Sequence, residues 1–237
     1  MIQQQFSRLP DITKNLIIIN LLMFLATITM GDSIQHYLAI HYIQNPNFQP
    51  YQFVTAFFMH ANFMHLFFNM FALFMFGNEV EYTLGARKFL FLYLAAGFGA
   101  NILYMLFNYT QVQQLMANLS PEQIAFATGK LEFIHMDMVN YDVKALSSYW
   151  NTPALGASGA TYGVLFSFAL LYPNRMLLLL IPPIPIKAKY LVMGLAAMEI
   201  WYQLSNSNTG IAHMVHLSGA AIAVLLILYW RKKGEVF

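Results

Sequence analysis

Three short stretches of this 237-residue chain hold the residue types that acyl transfer needs. Gly156-Ala157-Ser158-Gly159-Ala160-Thr161-Tyr162-Gly163 sets one hydroxyl among small residues, so a second helix or a substrate backbone can approach it closely. Ala212-His213-Met214-Val215-His216-Leu217-Ser218-Gly219 offers two imidazoles at i, i+3, with a glycine one turn past the second. The stretch from His60 to Asn69 places His65 and Asn69 at i, i+4, on one helical face, where both can donate toward a common point. A serine hydroxyl is a weak nucleophile without an adjacent base, and attack on an amide needs donors aimed at the developing oxyanion. Ser158, His216, His65 and Asn69 supply those parts.

No acidic third member is evident. The acid within an apolar span is Glu199, and it reads as a polar contact to backbone or to a neighbouring helix, with a proton pathway as the other reading. The expectation is therefore a Ser158/His216 dyad. Tyr162, one turn below Ser158 on the same face, takes the orienting role by stacking on the imidazole.

Plainer readings exist for each residue. A serine among small residues ordinarily packs helices, as do Gly159 and Gly163. His60, His65, His213 and His216 are a possible ligand set for a metal or haems between facing helices. The His65/Asn69 spacing is not that of a zinc-binding His-Glu-x-x-His helix, and a metal reading leaves the glycine-serine start unused. Neither metal nor cofactor is expected. His213 reads as an interfacial residue bonding loop backbone or water, and His36, His41 and His135 as ordinary loop residues. A transporter is disfavoured because no pair of matching broken helices recurs.

The elements that must position these residues follow from composition. The chain is 59% apolar and 9% charged, against roughly 25% charged in an average soluble domain. Apolar runs near 15–30, 53–76, 88–108, 154–172, 189–204 and 210–230 are long enough to predict an all-α bundle of six transmembrane helices over 15–230. Residues 109–150 form an excursion outside the membrane with some helix, and Ser120-Pro121-Glu122 resembles a helix start. The run from Met176 to Ile181, broken by Pro182, Pro183 and Pro185, cannot cross as a regular helix and belongs to a connecting hairpin. The start of the chain has no secretory cleavage pattern, so the first run is expected to remain as an anchor.

Ten of the twelve Lys and Arg residues fall on the side that six spans assign to both termini, which makes 1–14 and 231–237 cytoplasmic. The three polar stretches then share the outward half of the membrane. At about 1.5 Å of rise per residue, Ser158 and His216 both lie roughly 6 to 9 Å below the outer boundary. A net charge of +2 without a basic patch gives no footing for nucleic acid. The absence of cysteine excludes thiolate chemistry and cysteine-held metals.

These residues resemble the rhomboid family of intramembrane serine proteases, with its His-x4-His-x3-Asn helix, Gly-x-Ser-Gly helix start and late His-x-x-Gly. The matching residues are His60, His65 and Asn69; Gly156, Ser158 and Gly159; and His216 with Gly219. A Gly77-x-x-Val80-Glu81-x-x-x-Gly85 turn is similar to the family's cytoplasmic hairpin. The resemblance implies that Ser158 attacks and that His216, rather than His213, is the base. It implies an oxyanion held by His65, Asn69 and the Ser158 amide, with His60 in support. It also implies transmembrane proteins as substrates, cut near their outer ends within the lipid bilayer; that bilayer is expected to be a bacterial inner membrane because no organelle-targeting segment is seen. An inactive relative that binds transmembrane clients is the alternative within the family. Two departures stand out: Tyr51-Gln52 replaces the usual tryptophan-arginine pair, and Ala223 stands four beyond Gly219 in place of a glycine.

Overall fold

Left-handed glycines and polar caps divide the apolar chain into rods. In the computed structural model, which describes residues 9–178, 183–205 and 213–237, α1 (Asp11–Met30) stops at Gly31, whose φ of 74° suits a residue without Cβ. After α2 (Asp32–Leu38) and a loop come α3 (Gln52–Thr55) and the 3₁₀ turn Ala56–Phe58. Met59 and Asn62 are extended, and Asn62 Oδ1 accepts the His65 N–H at 2.9 Å, capping α4 (Phe63–Ala72). The long second helix thus begins at Phe63 instead of near 53, and His60 precedes it in the loop. A π turn, Leu73–Gly77, joins α4 to α5 (Asn78–Leu84) in one apolar rod.

Gly85, again at φ 74°, turns the chain into α6 (Ala86–Asn118). This helix continues past the expected end at 108 because neither glycine nor proline interrupts residues 101–118. Ser120 then closes a reciprocal capping box with Gln123 at the start of α7 (Pro121–Ala127), and Asn140 caps α8 (Tyr141–Asn151). After α9 (Ser158–Leu171) the chain forms a hairpin, β1 (Met176–Leu178) antiparallel to β2 (Pro185–Lys187), with Leu177 opposite Ile186. The proline run rules out a helix here, and Pro182 lies outside the described residues. The bundle closes with α10 (Ala188–Leu204) and α11 (His213–Lys232); the expected start of the last span at 210 also falls outside the described residues.

Two apolar clusters hold these elements. The larger unites α1, α4, α5, α6, α9 and α11 around Phe89, Tyr93, Ala96, Val164, Ala223 and Ile227. The smaller ties the 39–58 loop to α6, α7 and α8 through Ile40, Tyr42, Val112, Leu146 and Trp150. Ile18, Leu22, Phe63, Phe68, Phe91 and Leu225 lie exposed along the rods, a pattern that suits lipid and not water. By length and composition α1, the 63–84 rod, α6 and α11 can each cross a membrane, whereas α9 and α10 are shorter, at 14 and 17 residues. The chain is an integral, multi-pass helical membrane protein.

The start of α1 has its own anchor. Buried Glu81 on α5 accepts from the Ile12 N–H at 3.0 Å and from the Thr13 N–H and hydroxyl, both at 2.7 Å. A carboxylate there satisfies N–H groups that have no helical partner and faces the positive end of the helix dipole.

Candidate active site

The approach to α9 is pinned before the helix begins. Ile40 and Ala154 exchange two backbone hydrogen bonds, of 2.8 and 2.9 Å, and the Gly156 N–H donates to Ala56 O at 2.8 Å. Gly156 then takes a φ of 131°, open to glycine and strained for other residues. A Cβ at Gly156 would stand 2.8 Å from His65 Nε2 and 3.6 Å from Ser158 Oγ. The imidazole tip and the serine hydroxyl therefore flank one point, kept open by the missing side chain.

Ser158 is the first residue of α9, and the first helical bond runs from Thr161 N–H to Ala157 O at 2.9 Å. The amides of the opening turn thus have no partner from their own helix and present partial positive charge, a setting suited to an anion.

Close contact of α11 with α9 brings in His216. A Cβ on Gly219 would lie 2.0 Å from Gly159 O, so the two backbones touch at that crossing. One turn further down, a Cβ on Gly163 would lie 3.2 Å from both Ala223 Cβ and Gly219 O. Ala223 is accommodated because its partner is a glycine. The His216 ring stacks on Tyr162 with centroids 4.2 Å apart and planes 10° from parallel. Among the described residues no hydrogen bond joins Ser158 to His216; apo sites often hold such pairs apart until substrate binds.

The spacing arguments missed what holds the far side of that ring. His216 Nδ1 donates to Glu199 Oε1 at 2.8 Å, and the Tyr162 hydroxyl donates to the same oxygen at 2.5 Å. His213 Nδ1 bonds the other oxygen, Oε2. Glu199, His213 and His216 are all buried. His213 is thus no interfacial residue bonding loop or water alone: it shares an acid with His216. The signal was legible in principle, because Glu199 lies five residues before the end of α10, about 7 Å along the axis, the depth assigned to His216.

The α4 residues gather on the other side of Ser158. His65 presents its ring toward Gly156, and His60, fully buried in the preceding loop, meets it edge-on at 5.1 Å. Asn69 is buried, and its amide donates to His65 O at 2.8 Å, which leaves its second N–H for another acceptor. Among the described residues, the group able to hold a metal is Glu199, His213 and His216, whose ligand atoms lie within 4.8 Å of one another. Those atoms already bond each other, and His60 and His65 lie outside the group.

The loop over this end rests on Gln52. Its Oε1 accepts from the His41 and Gln49 N–H groups at 3.2 and 3.1 Å, and its amide donates to Tyr37 O and Asn47 O at 3.1 and 3.0 Å. All four capacities of a fully buried amide are used, so a neutral side chain anchors the loop where the resemblance leads one to look for an arginine. His41 is also buried, which pushes its imidazole below the ordinary value.

The family model of the rhomboid domain matches residues 47–233. The chain is 28% identical over 172 residues to RHOMBOID-like protein 12, mitochondrial, of Arabidopsis thaliana, covering 73% of this chain and 44% of that protein. It is 25% identical over 171 residues to Rhomboid protease AarA of Providencia stuartii, covering 71% and 51%. It is 31% identical over 128 residues to Rhomboid protein 1, mitochondrial, of Saccharomyces cerevisiae, covering 54% and 27%. The chain spans about half the length, or less, of these relatives.

Proposed function

Because the chain belongs to the rhomboid family, whose members are generally intramembrane serine proteases, we propose that it is an intramembrane serine endopeptidase acting on transmembrane helices of other proteins. The observation that carries this reading is the crossing of α9 and α11. It stacks His216 of α11 on Tyr162 of α9, one turn from Ser158, which opens α9 with the His65 ring close by at Gly156.

The cycle runs as acyl transfer. His216 Nε2 takes the Ser158 proton as Oγ bonds the peptide carbonyl carbon. The oxyanion is met by the Ser158 amide, His65 and Asn69. Collapse breaks the C–N bond, and the imidazolium gives its proton to the leaving amine. Water, deprotonated by His216, then attacks the ester carbon, the acyl C–Oγ bond breaks to release the new carboxyl end, and the imidazolium returns its proton to Ser158 Oγ. No metal takes part. A substrate helix hides its carbonyls in hydrogen bonds, so glycine, proline and other weak helix formers near the cut favour cleavage.

Six spans, cytoplasmic termini and a site open to the outer face of the membrane are the arrangement that the positive charge of the termini and hairpins supports. The test is cleavage of a glycine-containing transmembrane substrate by the purified chain in liposomes. Wild type cuts, and Ser158→Ala and His216→Ala each lower turnover by about 10⁴-fold or more. Cleavage that persists in Ser158→Ala overturns the assignment; an inert wild type points to a client-binding member of the family instead.

A further inference from the structure

One buried acid has no part in the cycle proposed for Ser158 and His216. Glu199 is 3% exposed, stands on α10, and accepts from three side chains on two other helices: Tyr162 of α9, and His213 and His216 of α11. The remainder of α10 makes little of the core, since its buried residues besides Glu199 are Ala188 and Val192. An isolated buried carboxylate is costly, and this one is kept by three donors, of which two are the His216 imidazole and the hydroxyl of the tyrosine stacked on it.

We propose that Glu199 is a positioning residue for the protease reaction: it holds His216 by Nδ1, so that Nε2 faces Ser158, and its charge stabilises the imidazolium formed during attack. The inference rests on the reading of Ser158 and His216 as nucleophile and base, and it extends the dyad to an acid-supported base.

The geometry assigns distinct parts to the two oxygens. Oε1 takes both the His216 N–H and the Tyr162 hydroxyl, so the ring is gripped at its edge by the acid and on its face by the stack, two constraints that fix both tilt and rotation. Oε2 takes His213, and the Tyr202 ring stacks on His213 at 5.2 Å with planes 18° apart. His213 therefore fixes the carboxylate as the carboxylate fixes His216. A neutral His216 donates from Nδ1 to this acceptor, which leaves the lone pair on Nε2 where the serine proton must go. When the proton arrives, the ion pair forms between buried groups that are already in place, with no reorganisation of its partners.

The full chain in liposomes, with a transmembrane substrate, provides the test. Glu199→Gln keeps the size and one acceptor but loses the charge; the expected result is a fall in kcat of about 10²-fold or more with KM within about threefold. Glu199→Asp recovers at least tenfold of what Glu199→Ala loses. In a His216→Ala background, Glu199→Gln costs nothing further, because the acid acts through that ring. His213→Gln lowers kcat by a smaller factor than Glu199→Gln. A purely structural role predicts the reverse: a lower melting temperature, kcat of the folded fraction at the wild-type level, and an undiminished cost in the His216→Ala background. If Glu199→Gln folds poorly, the comparison of Glu199→Asp with Glu199→Ala in kcat per folded molecule decides. Wild-type kcat in Glu199→Gln overturns this inference alone, whereas an inactive wild type overturns the reading beneath it.

Discussion

Gly219→Ala should disable the enzyme without touching a reacting group. The added Cβ would sit 2.0 Å from Gly159 O, 2.6 Å from Gly159 C and 2.9 Å from Gly159 Cα, whereas real Cβ atoms essentially never come within 3.0 Å of a neighbour. Every opposing atom is backbone, so no side chain can rotate away, and the two helices must part by at least about 1 Å at the crossing. Overpacking of this kind costs about 1–3 kcal/mol. His216 lies one turn from Gly219 on α11 and Ser158 adjoins Gly159 on α9, so the same displacement separates the proposed nucleophile from the proposed base. A misplacement near 1 Å is worth about 10²-fold in rate. In liposomes, kcat on a transmembrane substrate should fall by about that factor while KM changes little, and the melting temperature should drop. Gly194→Ala on α10 is the control, because a Cβ there meets nothing within 4 Å. It should leave kcat unchanged and stability equal or higher by up to about 1 kcal/mol. Wild-type kcat in Gly219→Ala, with unchanged stability, would refute the close crossing.

Other predictions follow from single contacts. Asn69→Ala should lower kcat by about 10²-fold with little change in KM, as loss of one oxyanion donor does; unchanged turnover would remove Asn69 from that role. Glu81→Ala should cost roughly 2–3 kcal/mol, read as a lower unfolding midpoint, because the Ile12 and Thr13 donors lose a buried acceptor. Burial holds the His41 imidazole below 6.5, so the unfolded chain binds this proton first and the fold loses stability as pH falls below about 6.5. His41→Gln should flatten that acid limb of the melting curve, and an unaltered limb would assign it to other groups.

The residues of the site were legible because membranes make polar side chains informative: a hydroxyl, two imidazoles and an amide in apolar runs stand out against their neighbours. The hairpin at Pro183 and Pro185 was legible for a related reason, since proline restricts what the backbone can do, whereas α9, expected from 154, begins only at Ser158 because Ala154 pairs with Ile40 in extended backbone and Gly156 takes a positive φ. Glu199 was not read in its role, because its partners lie 14, 17 and 37 residues away and no helical period links positions on three helices. Depth arithmetic applied to all polar residues, and not to Ser158 and His216 alone, would have brought it to the same level. The start of α4 was misplaced because residues 53–59 are mostly apolar and lead into the helix, while the Asn62 cap, a local side-chain bond, sets the boundary. The role of Gln52 was hidden because its worth lies in four backbone partners spread over the loop.

The central claim is that Ser158 is a nucleophile activated by His216. The most direct measurement is the rate at which a fluorophosphonate modifies the purified protein, with the modified residue located by peptide mass spectrometry. The account predicts a single adduct, on Ser158, that is absent in Ser158→Ala and forms at a rate reduced by about 10²-fold or more in His216→Ala. An adduct on another residue, or equal labelling of Ser158→Ala and wild type, would contradict it.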